Sequence, residues 1–217
     1  MPLRPLGPDI WVEEAPHRYL AEMGRRMTVV RLAAGGLWLH SPLPPSDDLA
    51  GLGEVRYVVA ASSLHGHLSM GDYPAAELFA PPGLARKRRD LRFAGELGDE
   101  PDERWAAELD QGIFRGSVRL EEVVFLHRPS RSLIVGDTCF NIRPGAPLLT
   151  RLWAWGPRMR PRMGATGPFR LTVRDRAAAR ASIDRILAWD FDRLIVGHGE
   201  IVESGGREAF RDAWSWL

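Results

Sequence analysis

Apolar and polar positions divide the chain into short strand-like runs, with one long amphipathic segment near its end. Ile10-Trp11-Val12 is a short strand candidate, and Met27 to Leu32 with Gly36 to His40 flank Ala33-Ala34-Gly35 as a hairpin. Val55 to Ala60 is a largely apolar strand, and Ala75 to Ala80 runs into the breaker Pro81-Pro82-Gly83. The same texture returns at Glu108 to Phe114, Glu122 to His127 and Ser132 to Val135, with Arg128-Pro129-Ser130-Arg131 turning between the last two. Between Arg143 and Arg170 the chain is broken by Pro and Gly and carries Arg and Trp; the pattern predicts a helix near Leu148 to Trp155 and a loop over one end of a sheet. Asp175 to Trp189 predicts a helix, with Ala178, Ala181, Ile183, Ile186, Leu187 and Trp189 as its apolar stripe. Arg193 to Val196 reads as a core strand, and Gly205-Gly206 announces a closing helix from about Arg207 to Leu217. Two β-rich halves, each followed by helix and with no linker between them, predict one α/β (α+β) domain over residues 1–217. Its layers form an αββα sandwich of two mixed β-sheets with outer helices.

Composition narrows the class. In 217 residues, 45% are hydrophobic and 26% charged, which suits a packed globular core. The net charge of +1 gives no bias toward nucleic acid or a membrane surface. The basic run Arg86-Lys87-Arg88-Arg89 reads as a solvated face, because Asp99, Glu100, Asp102 and Glu103 follow it. A lone cysteine, Cys139, excludes an intrachain disulfide and a cysteine-built zinc site; it reads as buried and inert. No apolar run is long enough to span a bilayer, and the N-terminal residues lack a signal-peptide core, so the expected location is cytoplasmic.

Candidate chemistry sits where apolar runs stop. Leu133-Ile134-Val135-Gly136-Asp137-Thr138 and Leu194-Ile195-Val196-Gly197-His198-Gly199 each end on a glycine and then present one metal-competent side chain. His65-Gly66-His67 follows the strand Val55 to Ala60. Strands delivering Asp137 and His198 to one sheet edge would begin a metal site.

These motifs resemble the metallo-β-lactamase superfamily. In that family a His-x-His-x-Asp-His loop, a further His in a Gly-His-Thr-Pro-Gly-like turn, the Asp of a Gly-Asp-Thr turn and the His of a Gly-His-Gly-like turn hold one or two metal ions. The ions are usually zinc, sometimes iron or manganese, and the reactions include ester, amide, thioester and phosphoester hydrolysis. Setting His67 on the last His of the loop puts Gly66 at the Asp and Leu64 and Ser62 at the first two His. The segment Gly116-Ser117-Val118-Arg119-Leu120 offers no His. The resemblance therefore implies a divergent branch with a degenerate ligand set: His67, Asp137 and His198 hold at most one divalent ion, zinc first, with iron or manganese as alternatives.

Two His and a carboxylate leave open coordination positions for water. His65 reads either as a structural or solvent-facing residue or as a fourth ligand or proton shuttle, and in the latter role it forms the candidate catalytic pair with Asp137. His40 is read as a core histidine hydrogen-bonded to the same cluster, and His127 and His17 as surface residues. The alternative is a polar cluster without metal, in a catalytically inactive fold member used for binding or assembly. Trp153, Trp155, Trp214 and Trp216 read as packing residues, and Arg151, Arg158, Arg160 and Arg162 as candidates to bind an anionic group over the site. A small-molecule substrate is the expected partner, with neither nucleic acid nor membrane.

Overall fold

The protein is described by a computed structural model over residues 2–16, 24–142, 145–155 and 163–217. The first half builds a seven-stranded sheet in sequence order: β1 (Arg4–Gly7), β2 (Ile10–Ala15), β3 (Arg25–Arg31), β4 (Leu37–His40), β5 (Val55–Val59), β6 (Glu77–Ala80) and β7 (Gly95–Glu96). Pairing is antiparallel from β1 to β4 and parallel from β4 to β7. Helices α1 (Asp47–Leu52) and α2 (Leu84–Lys87) lie in the connections. Ser46 caps α1 by accepting the Leu49 N–H at 3.3 Å.

The second half builds a four-stranded sheet from β8 (Leu109–Phe114), β9 (Glu122–His127), β10 (Ser132–Ile134) and β13 (Arg193–Ile195), in the order β13-β10-β9-β8. A small third sheet joins β12 (Met163–Gly164), β11 (Phe140–Asn141) and β14 (His198–Gly199). The helices of this half are α3 (Leu148–Trp155), α4 (Gly167–Arg170), α5 (Arg176–Leu187) and α6 (Gly206–Ala213).

Strand parity sets the layers, since neighbouring residues of a strand face opposite ways. Val30, Trp38, Tyr57, Val59 and Phe79 of the first sheet pack with Ile113, Val123, Phe125, Ile134 and Ile195 of the second, forming the core between the sheets. The intervening residues Val29, Leu39 and Val58 face outward under α1 and α2. Val124, Leu126, Leu133 and Leu194 do the same under α5 and α6. Four apolar layers thus appear as two sheets with outer helices, the αββα sandwich the sequence predicts.

Local departures from the expected pattern have packing causes. On α5 the buried face is Ala179, Ser182, Ile183 and Ile186, and Ala181 is exposed. Ser182 tolerates burial because its hydroxyl donates to the Ala178 carbonyl and accepts the Arg115 N–H. His127, expected at the surface, is 1% exposed. The neighbouring turn supplies its partner: Nδ1 lies 2.7 Å from the Ser130 hydroxyl. Cys139 is buried and free, and burial raises its thiol well above the normal range. Trp214 is buried and stacks on Trp216. His17, Arg158, Arg160, Arg162 and the side chains of Trp153 and Trp155 lie outside the described residues. Among the described residues no helix is long and apolar enough to cross a membrane.

Candidate metal centre

Strands β10 and β13 are parallel neighbours, with Leu133 opposite Leu194 and Ile134 opposite Ile195. Both runs leave the sheet at the same edge, through Gly136 and Gly197, whose backbones meet at 3.3 Å between the Gly197 N–H and the Gly136 carbonyl. Asp137 and His198 come next. The loop after β5 brings His65 between them. Its Nδ1 lies 3.3 Å from Asp137 Oδ1 and 3.2 Å from His198 Nε2, and His198 Nε2 is 3.2 Å from the same Oδ1.

The two glycines exist for this approach. A Cβ on Gly136 would stand 2.7 Å from Ala61 Cβ and 3.4 Å from the His65 ring. One on Gly197 would stand 2.9 Å from the Gly136 carbonyl oxygen and 3.1 Å from the His65 ring. At Gly197 a side chain would press on the His65 imidazole, whereas at Gly136 it would collide with Ala61 and crowd Glu122 while only touching the ring.

Three polar residues hold the parts in register. Ser62 is fully buried, and its hydroxyl accepts the N–H groups of Leu64 and His65 at 3.1 and 3.0 Å, fixing the turn that carries His65. Glu122 is fully buried at the head of β9 and accepts the N–H groups of Gly136, Asp137 and Thr138 at 2.8, 2.5 and 2.9 Å. Arg26 donates to the carbonyls of Val196 and Gly199 on either side of His198. Neither Glu122 nor Arg26 stands out in the sequence reading. The available signal for Glu122 was a carboxylate opening an otherwise apolar strand, Glu122-Val123-Val124-Phe125-Leu126.

Protonation follows from these contacts. His198 Nδ1 is 2.7 Å from the Gly24 carbonyl, which can only accept, so in the neutral ring Nδ1 carries the hydrogen and Nε2 presents its lone pair to the cluster. Burial opposes charge on both Asp137 and His65, but their mutual attraction prevails. The histidines hold Asp137 far below the usual carboxylate range, and Asp137 raises His65. Glu122 is pushed up to about 7 by burial and then by the Asp137 charge, against the pull of the turn N–H groups.

The donor set fits a metal ion. His65, Asp137 and His198 each present one ligand atom, all within 4.8 Å of one another, and no other such group occurs among the described residues. Ligands at zinc distances of about 2.0–2.2 Å in a tetrahedron are about 3.3–3.6 Å apart, and the three observed separations, 3.2, 3.2 and 3.3 Å, lie at the short end of that spacing.

His67 is not part of this triangle. Its Nδ1 lies 3.3 Å from Arg88 Nη1, and the same nitrogen donates to the His67 carbonyl at 2.6 Å. Burial and the charges of Lys87 and Arg88 lower its proton affinity, and those charges equally disfavour a metal cation. The basic run is partly structural: Lys87 also donates to the Ser63 carbonyl at 2.7 Å. Gly66, at φ +79°, allows the turn between the two histidines, and a Cβ there would stand 2.3 Å from the Ser41 hydroxyl. His40 is buried and stacked on Trp38, with its Nε2 unpartnered rather than bonded to the cluster. Burial lowers its pKa to about 3.

Sheet order, the paired strand ends and the His-Asp-His cluster define a metallo-β-lactamase fold. The structure is similar to the metal-soaked Flv1 flavodiiron core from Synechocystis sp. PCC6803, with a TM-score of 0.64 at 13% identity over 99% of this chain. The chain spans 60% of that core's length. The metallo-β-lactamase from Hirschia baltica superposes with a TM-score of 0.61 at 14% identity, covering 98% of this chain and 96% of the other. FIM-1 from Pseudomonas aeruginosa, in its mono-zinc form, gives 0.62 at 11% identity over 97% and 92%. No curated protein sequence matches. Residues 10–166 match the family described as Domain of unknown function (DUF4336), and the chain belongs to that family.

Proposed function

We propose that this protein is a mononuclear metal-dependent hydrolase, with His65, Asp137 and His198 as the ligands. The observation that supports this reading is the triangle of three donor atoms, one of them oriented by the Gly24 carbonyl, on the wall of an open cleft of about 770 Å³. Zinc suits two imidazoles and a carboxylate, and iron or manganese are alternatives. A bound divalent ion there supplies Lewis acidity toward a carbonyl or phosphoryl oxygen and acidifies water. His198 offers Nε2 because Nδ1 is committed, and Asp137 stays ionised between the two rings. Glu122 holds the backbone of the Asp137 turn, and Ser62 holds that of His65. Leu64, directly before His65, supplies no carboxylate to orient water, so the base must come from another residue or from the substrate.

Zinc titration of chelator-treated protein tests the reading. One equivalent should bind, and His198→Ala and Asp137→Asn should each abolish it. Turnover of model esters, thioesters or phosphoesters should require the ion and Asp137. If the wild type takes up no zinc, iron or manganese, the cluster is a hydrogen-bonded relic and the chain acts as a binding or assembly domain.

A further inference from the structure

The cleft beside His65, Asp137 and His198 has a lining that selects a kind of ligand. Its wall is largely apolar: Leu64, Leu68 and Leu171 stand on its rim 54%, 64% and 74% exposed, with Phe169 and Leu120 further in. Exposed leucines gathered round one cavity, beside the His65, Asp137 and His198 donor atoms, mark a surface built to be covered. Three arginines line the same space. Arg25 lines the cleft with its Nε buried and without a hydrogen-bond partner, and neither it nor Arg119 forms an ion pair among the described residues. Arg25 is close enough for its charge to be felt at His65. Arg26, by contrast, is committed to Glu14 and to the backbone around His198. The Ser41 hydroxyl is a further buried, unpartnered polar atom on the lining. Against these donors the described lining sets one carboxylate, Asp137, which the two histidines already engage.

We propose that the cleft binds an anionic amphiphile: an apolar chain or ring system resting on Leu64, Leu68 and Leu171, with a carboxylate or phosphate group on the Arg25 guanidinium. A guanidinium with open donors recognises both oxyanions by charge-assisted hydrogen bonds. The inference deepens the hydrolase reading by naming its substrate class, and so rests on the cluster being the reactive centre. Its test is made without metal, which separates the failure of one from the failure of the other.

Binding to the chelator-treated full chain is measured by calorimetry for decanoate, decyl phosphate, decanol and decyltrimethylammonium, each below its micellar concentration. At least one of the two anions should bind, about tenfold or more tighter than decanol or the cationic amphiphile; which anion binds better identifies the headgroup. Arg25→Gln should weaken the preferred anion about tenfold and leave decanol unchanged, and Arg25→Lys should restore much of the loss. Leu68→Asn, on the exposed rim where folding is not at risk, should weaken every amphiphile that binds. Decanol binding as tightly as both anions, no effect of Leu68→Asn, or no binding of any probe overturns the proposal. So does an anion affinity unchanged in a folded Arg25→Gln variant.

Discussion

Replacing Gly197 by alanine adds one methyl group at the closest approach in the site. The new Cβ would lie 2.9 Å from the Gly136 carbonyl oxygen, 3.1 Å from Gly136 Cα and 3.1 Å from His65 Cε1, all inside ordinary van der Waals contact. Two of the three neighbours are backbone of the partner strand, joined to this one through the Val135 N–H to Ile195 carbonyl and Gly197 N–H to Gly136 carbonyl bonds. Relief must come from spreading the strand ends or from swinging the His65 ring. Overpacking of this kind costs about 1–3 kcal/mol. The reduced freedom of the unfolded chain offsets about 0.4–1 kcal/mol of that. The expected net loss is ~1–2 kcal/mol in urea unfolding of the chelator-treated protein. Moving His65 Nδ1 by a few tenths of an ångström also spoils a triangle whose sides suit zinc, so affinity should fall about 10–100-fold, the range for residues that orient ligands. Gly51→Ala is the control: it lies in α1 with nothing within 4 Å of the new Cβ, and should stabilise by about 0.5–1 kcal/mol. A Gly197→Ala protein as stable as wild type, binding zinc within twofold of it, would refute the claim that Gly197 is bare in order to admit His65.

Glu122→Gln keeps the shape but points an amide donor at N–H groups that need an acceptor; with the carboxyl already pushed up to about 7, the loss comes from the unsatisfied donor, about 1–3 kcal/mol at neutral pH. Unchanged urea stability would show that the carboxylate does not hold the turn. His127 gives a pH signature away from the site: burial lowers its pKa from 6.5 to about 4, so the unfolded chain takes up a proton on acidification before the folded one does. Its contribution is complete above pH 6.5 and is lost as the pH falls toward 4, by at most about 3 kcal/mol. His127→Asn should flatten that part of the stability curve relative to wild type, and parallel curves would contradict the assignment.

The strands are legible as short apolar runs, but their faces are not: Glu122–His127 is buried at all six positions, so four apolar residues in a row carry no alternation. Only the structure shows Val123 and Phe125 meeting the other sheet and Val124 and Leu126 meeting the helices. The strand Glu122–His127 and the helix Leu148–Trp155 coincide with the sequence reading because turn residues bound them on both sides. The face of α5 agrees with the expected stripe at Ile183, Ile186, Leu187 and Trp189 and differs only in its first turns, where Ala179 and Ser182 are buried more deeply than Ala178 and Ala181, since alanine gives little phase and Ser182 hides a buried position behind a polar name. His127 was misread for a related reason: the serine that satisfies it lies across a turn, and polarity alone suggested solvent.

Asp137 and His198 could be read from the sequence because parallel strands bring equivalent ends to one edge. The third residue could not, and the reason is local geometry. In an extended segment His65 and His67 would share a face, and neither would be preferred. The segment is instead a turn, closed on the Ser62 hydroxyl and bent at Gly66 with φ +79°, so the two rings part. His65 passes into the gap left by Gly136 and Gly197, while His67 turns to Arg88. What chooses between two chemically identical side chains is therefore the missing Cβ on Gly197 and Gly66 and the position of one guanidinium. None of these is a metal ligand, and none is visible in a search for ligand spacing. The choice should be reversible: Gly197→Ala presses on the inward ring, and Arg88→Ala frees the outward one. In the double variant, zinc affinity that came to depend on His67 rather than His65 would show that the glycines, more than the histidine spacing, define the site.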